Sequence, residues 1–283
     1  MKVLVTGGSG FVGSHLIEQL VALGHQVRAI SRSESSAKFL RSIGAEPVPG
    51  DLDKIDNLAS ACQGCEVIFH AAAKVEFDGA EEDFTRTTVE GTRRIVEAAK
   101  SAGVRRFVQV SSCGVFHPDQ LLREAPLDES VVPMEPPDWF PYARAKLRAE
   151  ELVQQLSPPE MEWTIIRLGY LYGPRNRTMK AYIEPVMHDS WMMIIGDGQN
   201  QLALVYVEDA ARAVLLAGCK AEAVGQILIV GPSQLITQQQ YFDAMGDGFG
   251  VPRVKKRIPY NVAMFWAWVG EKVIKTGPKA AAA

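Results

Sequence analysis

The sequence has 283 residues, of which 47% are hydrophobic and 22% charged, so it has the composition and the length of a globular protein with a large core. Its net charge of −3 argues against the strong basic field that is typical of nucleic-acid-binding proteins. No apolar run reaches the length of a membrane-spanning helix, so we expect no integral membrane span.

Strands and helices alternate in the first half of the chain. The predicted strands comprise residues 2–6, 25–30, 46–50, 67–70, 106–111 and 163–168. The predicted helices comprise residues 11–23, 37–43, 55–61, 82–102 and 142–156. Parallel strands need crossover connections, which helices supply on both faces of a sheet. The alternation therefore predicts an α/β fold with a doubly wound parallel sheet, the Rossmann arrangement, over residues 1–169.

The alternation weakens beyond residue 170. Short strands are predicted at 191–195, 203–206 and 227–230, and helices at 207–217 and 237–245. We expect a smaller mixed α/β lobe over residues 170–283 that binds substrate, with the residues from about 203 to 230 returning to the first domain. Four terminal alanines suggest that this lobe is truncated at residue 283.

An unusually apolar and aromatic segment spans residues 261–274. Its composition predicts a helix that packs on the core of the lobe. A hydrophobic wall for an apolar substrate and a surface that touches a membrane are the alternatives.

Three glycines, Gly7, Gly10 and Gly13, lie between the first strand and the first helix. A backbone without Cβ atoms allows a pyrophosphate to approach, and the helix N-terminus presents free N–H groups to it. An ordinary tight turn is the alternative, but a strand before the turn and a helix after it favour a dinucleotide site. The residues of this turn that we expect to bind the cofactor are Gly7, Ser9, Gly10, Phe11, Val12 and Gly13.

The end of the second strand indicates which dinucleotide binds. NAD-binding proteins usually carry an acid here for the ribose 2′-OH, whereas this chain has Ser31 and Arg32, with no acid before Glu34. A guanidinium with hydroxyl groups suits a 2′-phosphate, so we expect NADP, with NAD as the alternative. Asp51 follows the third strand and is expected at the adenine edge, unless it caps the next helix.

Tyr142 and Lys146 are four residues apart and share one face of a predicted helix. A phenol has a pKa near about 10, and a nearby ammonium lowers that pKa by favouring the phenolate. Such a phenol can give or take the proton of a C–O group while a nicotinamide carries the hydride. Ser112, just past the fifth strand, can hydrogen-bond the same oxygen.

The cysteines and histidines indicate no metal site. Cys62 and Cys65 form a C-x-x-C pair, but the pair precedes a strand, whereas a redox pair would follow one and open a helix. We interpret the cysteines as small apolar residues in a reducing, cytoplasmic compartment, and no histidines pair at metal-ligand spacing.

Seven motifs occur in order along nearly the whole chain: TGGSGFVG at 6–13, GDL at 50–52, HAAA at 70–73, VSS at 110–112, YxxxK at 142–146, RLGYLYGP at 167–174 and VYVED at 205–209. With these motifs the chain resembles an extended short-chain dehydrogenase/reductase of the NAD-dependent epimerase/dehydratase superfamily. The resemblance implies that Tyr142 is the general acid/base, that Lys146 lowers its pKa and binds the nicotinamide ribose, and that Ser112 polarises the substrate oxygen. The further cofactor-binding residues that it implies are Asp51, Leu52, Ala71, Ala72, Ala73 and Leu168.

Three positions depart from the pattern of the family. Sugar-nucleotide epimerases usually carry Asn where this chain has Tyr170, and Arg where it has Leu202. Thr88 replaces an Asn that is frequent in the family, which puts any proton relay or helix bond built on that Asn in doubt. The later motifs GDG at 196–198, YVED at 206–209 and RIPY at 257–260 are similar to the 3β-hydroxysteroid dehydrogenase and dihydroflavonol reductase branch.

These observations predict an NADP-dependent oxidoreductase that interconverts a carbonyl and an alcohol on a largely apolar small molecule. A sugar-nucleotide epimerase or dehydratase with tightly bound NAD is the first alternative, and a non-catalytic dinucleotide-sensing protein is the second. Candidate substrate residues are Lys74, Cys113, Tyr170 and Trp191. By analogy with the family, we expect a homodimer in which the helices predicted at 82–102 and 142–156 pair across a two-fold axis.

Overall fold

The computed structural model describes residues 1–53, 58–75, 79–121, 127–177 and 192–276. The chain divides into two compact units. The first unit comprises Met1–Arg175 and Leu204–Pro232, and the second comprises Asn176–Ala203 and Ser233–Ala283.

Seven of the described strands form one parallel sheet in the first unit. The strands in chain order are β1 (Lys2–Thr6), β2 (Gln26–Ser31), β3 (Glu46–Pro49), β4 (Val67–His70), β5 (Arg106–Ser112), β6 (Glu162–Leu168), β7 (Tyr170–Tyr172), β8 (Ile194–Ile195), β9 (Gln201–Leu202), β10 (Leu204–Tyr206), β11 (Ile227–Val230), β12 (Ile236–Thr237) and β13 (Arg257–Ile258). The order across the sheet is β11-β6-β5-β4-β1-β2-β3, and all of its neighbours are parallel. The predicted doubly wound sheet is confirmed.

The strand order reverses between β1 and β4. The chain builds β2 and β3 on one side of β1, then continues with β4, β5 and β6 on the other side. Doubly wound sheets bind ligands outside the carboxyl ends of the strands at such a point. Thr6 and His70, the last residues of β1 and β4, pair in register, so the segments that follow these two strands lie side by side.

Helices cover both faces of this sheet. The helices in chain order are α1 (Phe11–Ala22), α2 (Glu34–Ser42), α3 (Leu58–Cys62), α4 (Glu81–Phe84), α5 (Gly91–Ser101), α6 (Pro118–Leu121), α7 (Pro141–Leu156), α8 (Val207–Cys219), α9 (Gln238–Phe249) and α10 (Tyr260–Thr276). On one face, Leu16 of α1 and Val214 of α8 share a buried cluster with Val5 of β1. On the other face, α5 and α7 contribute Ile95 and Val153. Burial on both faces explains why the strands are almost continuously apolar.

α2 begins at Glu34, three residues earlier than the sequence predicts. The Ser33 hydroxyl accepts a hydrogen bond from the Ser36 N–H at 3.2 Å and so caps the helix. This polar cap precedes the apolar periodicity from which we predicted the start of the helix.

The helix predicted at 82–102 contains a π-helical segment, Thr85–Glu90, between α4 and α5. π-helical turns are rare and often lie at functional sites. This segment holds Thr88 in a buried position.

The second unit has its own small core of Ile194, Met245 and Val254. β8 pairs with β13 in parallel, and β9 pairs with β12 in antiparallel orientation. The prediction that the apolar segment 261–274 packs on the core is wrong for its large described aromatic side chains. Phe265 and Trp266 of α10, for example, are exposed to solvent.

Candidate active site

The glycine turn joins β1 to α1 with a backbone that leaves no room for side chains. Gly7 has a φ of 68°, in the left-handed region that favours glycine. A Cβ on Gly7 would lie 2.7 Å from the Ala72 nitrogen, and a Cβ on Gly13 would lie 2.2 Å from the Gly7 carbonyl oxygen. Gly10 is exposed at the N-terminus of α1, which no side chain caps. This cradle fits a pyrophosphate, which needs close backbone approach and free N–H groups.

Replacing Gly13 by Ala should therefore weaken NADPH binding at least about tenfold and destabilise the fold by about 1–3 kcal/mol, because the added methyl group meets backbone that cannot move aside cheaply. Fluorescence titration and urea unfolding measure the two effects. Gly248→Ala is the control, since a Cβ there has no neighbour within 4 Å. Equal NADPH affinity in the Gly13→Ala and intact proteins would contradict the assignment of this turn.

A one-way chain of hydrogen bonds connects the segment after β4 to the π-helical segment. The Thr92 hydroxyl donates to the Thr88 carbonyl at 2.7 Å, so it accepts from Nε2 of His70 at 3.0 Å. Nδ1 of His70 then accepts from the Thr6 hydroxyl at 2.6 Å, which in turn accepts from the Ala72 N–H at 3.2 Å. These hydrogen bonds assign the His70 tautomer that carries its proton on Nε2.

The imidazole within this chain is neutral. Burial, together with the smaller effect of the nearby Lys146 charge, lowers the pKa of His70 to about 3. The motif at His70–Ala73 and the replacement at Thr88 do not by themselves reveal this network, because its members come from three separate parts of the chain. The Thr88 hydroxyl accepts a hydrogen bond from the Lys74 N–H at 3.1 Å, so a bond from this helix position to the loop is present without the Asn.

The ends of β2 and β3 are held together where the adenosine ribose is expected. The Gly50 N–H donates to the Ser31 carbonyl at 3.1 Å, which brings Asp51 close to the end of β2. The Ser31 hydroxyl donates to the Ser33 carbonyl, and the Asp51 carboxylate accepts from a local backbone N–H, so both side chains have local partners. The Arg32 side chain is exposed.

Two further predicted cofactor residues are buried. Leu52 and Leu168 belong to the apolar core, so their side chains do not line an open cleft. Their roles in cofactor binding stay predictions. Ala71, Ala72 and Ala73, by contrast, are half-buried beside the glycine turn.

The fold brings Ser112 and Tyr142 together. Ser112 ends β5, and Tyr142 is the second residue of α7 after Pro141. The Ser112 hydroxyl accepts from the Gly114 N–H at 3.0 Å, which leaves its own proton for the Tyr142 oxygen. Burial raises the pKa of the Tyr142 phenol, and the hydrogen bond from Ser112 opposes this effect. The phenol is therefore protonated at neutral pH.

Lys146 lies one turn after Tyr142 and points into the sheet. Its ammonium donates to the Val110 carbonyl at 2.5 Å. Burial lowers the pKa of Lys146 to about 8, while the carboxylate of Glu150 acts in the opposite direction. Burial and Ser112 are the causes of the Tyr142 shift, so the lowering of this pKa by Lys146 stays a prediction for the enzyme with cofactor and substrate bound.

Glu150, one turn beyond Lys146, forms a buried ion pair that no sequence motif indicates. Arg167 Nη2 lies 2.7 Å from Glu150 Oε2, and Arg167 Nε lies 3.1 Å from Oε1. The Ser111 hydroxyl donates to the same carboxylate at 2.5 Å. Both charged side chains are at most 4% exposed. The cluster fixes α7 to β5 and β6 directly behind the lysine.

The predicted substrate residues lie in different environments. The Lys74 ammonium is 5.5 Å from the centre of the Phe84 ring. Burial raises the pKa of the Cys113 thiol to about 11, which disfavours a nucleophilic role. Tyr170 begins β7 and is exposed. Trp191 lies outside the described residues.

A family model described as "NAD dependent epimerase/dehydratase family" matches residues 3–231. The chain is 28% identical over 273 residues to the 4-hydroxy-2-methyl-3-oxo-4-farnesyl-3,4-dihydroquinoline-1-oxide ketoreductase of Stigmatella aurantiaca, a match that covers 96% of this chain and 80% of that protein. It is 31% identical over 274 residues to a decarboxylating sterol-4-alpha-carboxylate 3-dehydrogenase of Dictyostelium discoideum, over 95% of this chain and 83% of that protein. A solved structure of MoeE5 in complex with UDP-glucose and NAD has a TM-score of 0.76 and 25% identity, covering 93% of this chain and 86% of that one.

The described residues include no group of His, Cys, Asp and Glu side chains that could hold a metal ion. Among the helices described, none is long and apolar enough to cross a bilayer. The glycine cradle at the switch point fits a dinucleotide, and the family model covers the whole parallel sheet apart from the first residue of β1. The chain belongs to the NAD-dependent epimerase/dehydratase family, within the extended short-chain dehydrogenases/reductases, and is an enzyme of that family.

Proposed function

We propose that the protein is an NADP-dependent oxidoreductase that interconverts a carbonyl and an alcohol on a largely apolar small molecule. The observation that carries this proposal is that the Ser112 hydroxyl and the Tyr142 ring face one point, since a Cβ on Gly114 would lie 3.3 Å from Ser112 Oγ and 3.6 Å from Tyr142 Cε1, one helical turn from the buried ammonium of Lys146. The names of three relatives support carbonyl chemistry: a ketoreductase, a 3-dehydrogenase and a 2-alkyl-3-oxoalkanoate reductase. The farnesyl, sterol and alkyl groups in those names favour an apolar ketone.

In the direction of reduction, the Tyr142 phenol gives its proton to the carbonyl oxygen, and the Ser112 hydroxyl turns the hydrogen bond that it donates to Tyr142 toward that oxygen. When bound, the reduced nicotinamide supplies the hydride that the carbonyl carbon accepts, so C=O becomes CH–OH. The raised pKa of Tyr142 suits an acid, because the phenol holds its proton until the oxygen gains charge. The Lys146 ammonium then favours the phenolate that remains, until solvent returns a proton.

Arg32 supports the choice of NADP. Its side chain is exposed just beyond β2, where a 2′-phosphate is expected. Glu34, the first acid after β2, lies in the first turn of α2 and pairs with Arg41 at 2.9 Å. A guanidinium binds phosphate through charge-assisted hydrogen bonds.

Arg32→Ala should weaken NADPH binding about tenfold or more and change NADH binding less than about threefold, because the lost guanidinium contacts only the 2′-phosphate. Fluorescence titration of both cofactors measures this preference. Lys38→Ala removes an exposed cation from α2 and serves as the control. Equal binding of NADPH and NADH by the intact protein would overturn the NADP assignment.

A sugar-nucleotide epimerase with tightly bound NAD is the second candidate, which the likeness to MoeE5 favours. Leu202 opposes it, because this half-buried residue pairs with Ile236 at a position where a diphosphate substrate needs a cation. Release of NAD from the denatured, freshly purified protein, without oxidation of added NADPH by ketones, would favour the epimerase. The predicted homodimer and the cytoplasmic location stay predictions.

A further inference from the structure

The helix α10 exposes an unusual set of apolar side chains. Within its residues 260–270, whose side chains the structure describes, six large apolar residues are 39–66% exposed: Tyr260, Val262, Met264, Phe265, Trp266 and Trp268. Aromatic side chains of this size are rarely left in water together, and contiguous exposed apolar patches mark interaction sites. We call these six side chains the α10 surface.

The α10 surface extends around the helix and does not form a single stripe. At about 3.6 residues per turn, the six side chains spread over roughly two thirds of the helix circumference. The less exposed positions, by contrast, include the small residues Ala263 and Gly270. A helix that docks in a protein groove shows a narrower pattern of anchors at i, i+3, i+4 and i+7. An apolar environment that contacts most of the helix circumference, such as the interface of a bilayer, fits this broad distribution of apolar side chains better.

Positive charge accompanies the α10 surface. Residues 251–276 contain six Lys and Arg residues and one acidic residue, in a chain whose net charge is −3. Four of the six form the run Arg253–Arg257 just before α10; Arg253 pairs with Asp247 at 2.9 Å, and Lys255 within the run is exposed. Basic residues precede α10 and also occur near its C-terminal end, at Lys272 and Lys275, so a two-fold contact along α10 would bring like charges together in either helix orientation, which disfavours a second copy as the partner.

We propose that the α10 surface, with the basic run Arg253–Arg257, binds the surface of an anionic phospholipid bilayer. Trp and Tyr side chains are favoured at the boundary between headgroups and acyl chains, where a ring is partly apolar and partly polar. A helix lying in this boundary buries its apolar side chains, and Lys and Arg contact the anionic headgroups. The protein binds the bilayer from one side without crossing it.

Vesicle flotation of the full-length protein tests this proposal. Vesicles of phosphatidylcholine containing phosphatidylglycerol should bind the protein at least about tenfold more tightly than pure phosphatidylcholine, and added salt should reverse the difference. Trp266→Ser combined with Trp268→Ser should lower binding to the anionic vesicles at least about tenfold. Lys255→Gln combined with Lys256→Gln should lower it severalfold and remove part of the salt dependence.

Matched variants distinguish binding through the α10 surface from nonspecific adsorption to vesicles. Trp139→Ser removes an exposed indole from the first unit, and Lys38→Gln with Lys100→Gln removes two exposed cations there; both should leave binding unchanged. Unaltered NADPH affinity and thermal unfolding confirm that each variant is folded. The proposal is overturned if the intact protein does not float, or if the double tryptophan variant floats as the intact protein does. It is also overturned if light scattering shows a dimer that this variant dissociates while vesicles bind neither protein.

Discussion

Tyr142→Phe should lower the kcat of NADPH-dependent ketone reduction at least about 100-fold and leave the Kd for NADPH within about twofold of that of the intact protein. The change removes one oxygen atom, and the ring itself stays in place at the start of α7, next to Ser112. Without this oxygen the carbonyl has no acid at hydrogen-bond distance, although the Ser112 hydroxyl is still present. Loss of NADPH absorbance with a panel of a 2-alkyl-3-oxoalkanoate, a 3-oxosteroid and a dihydroflavonol measures the rate.

The control for this variant is Tyr260→Phe, which removes the same atom from an exposed ring of α10. It should retain full activity. A Tyr142→Phe protein that reduces the ketones at the normal rate would sink the proposed role of the phenol. The non-catalytic alternative is favoured by two results together. The intact protein reduces no member of the panel, and the Tyr142→Phe protein replaces the intact protein in cells without loss of biological function.

Glu150→Gln should destabilise the fold by about 3–5 kcal/mol, because it leaves the buried guanidinium of Arg167 without a counter-charge. The amide has nearly the same shape as the carboxyl group, so the change in the free energy of unfolding comes from the lost charge and not from a lost side-chain volume. Urea unfolding near pH 7 measures the change. Glu151→Gln is the matched control: its carboxylate pairs with Arg148 at the surface and contributes less than about 1 kcal/mol.

The same substitution should also move the pH dependence of reduction. Glu150 raises the pKa of Lys146, which burial has lowered to about 8, so the Gln variant lowers that pKa further. Activity that depends on the ammonium falls as the pH rises through the Lys146 pKa, and this fall should begin at a lower pH in the variant. Glu150→Asp should restore part of the normal profile. If stability falls but the pH profile does not move, Glu150 serves the fold alone.

Local signals were sufficient to predict the sheet. The strands of the first unit are short apolar runs bounded by glycine or by polar residues, and the helices between them have apolar residues at helical spacing. Gly7 and Gly13 could be assigned to a tight turn because a strand precedes them and a helix follows. The proximity of Ser112 and Tyr142 could be expected from their motifs, because the C-terminal end of β5 and the N-terminal end of α7 lie close together in space.

Other features depend on contacts between distant parts of the chain. Glu150 and Arg167 each look like surface charges in the sequence, and only the packing of α7 on β6 buries them as a pair. The partner of the Lys146 ammonium is a backbone carbonyl, which no sequence motif records. α10 was assigned to the core from its composition, but composition does not reveal whether another element covers a helix.

The π-helical segment Thr85–Glu90 has a consequence for comparing this chain with its relatives. A π turn accommodates an additional residue within a helix whose two ends keep their orientation. Against a relative with an unbroken α-helix, a correct alignment needs a one-residue gap inside the helix, a place where alignments seldom open one. An ungapped alignment on either side of Thr88 is then displaced by one position. The residue that replaces the family's Asn is therefore best identified by superposing the backbones of Glu81–Ser101, with the Lys74 N–H as the reference point.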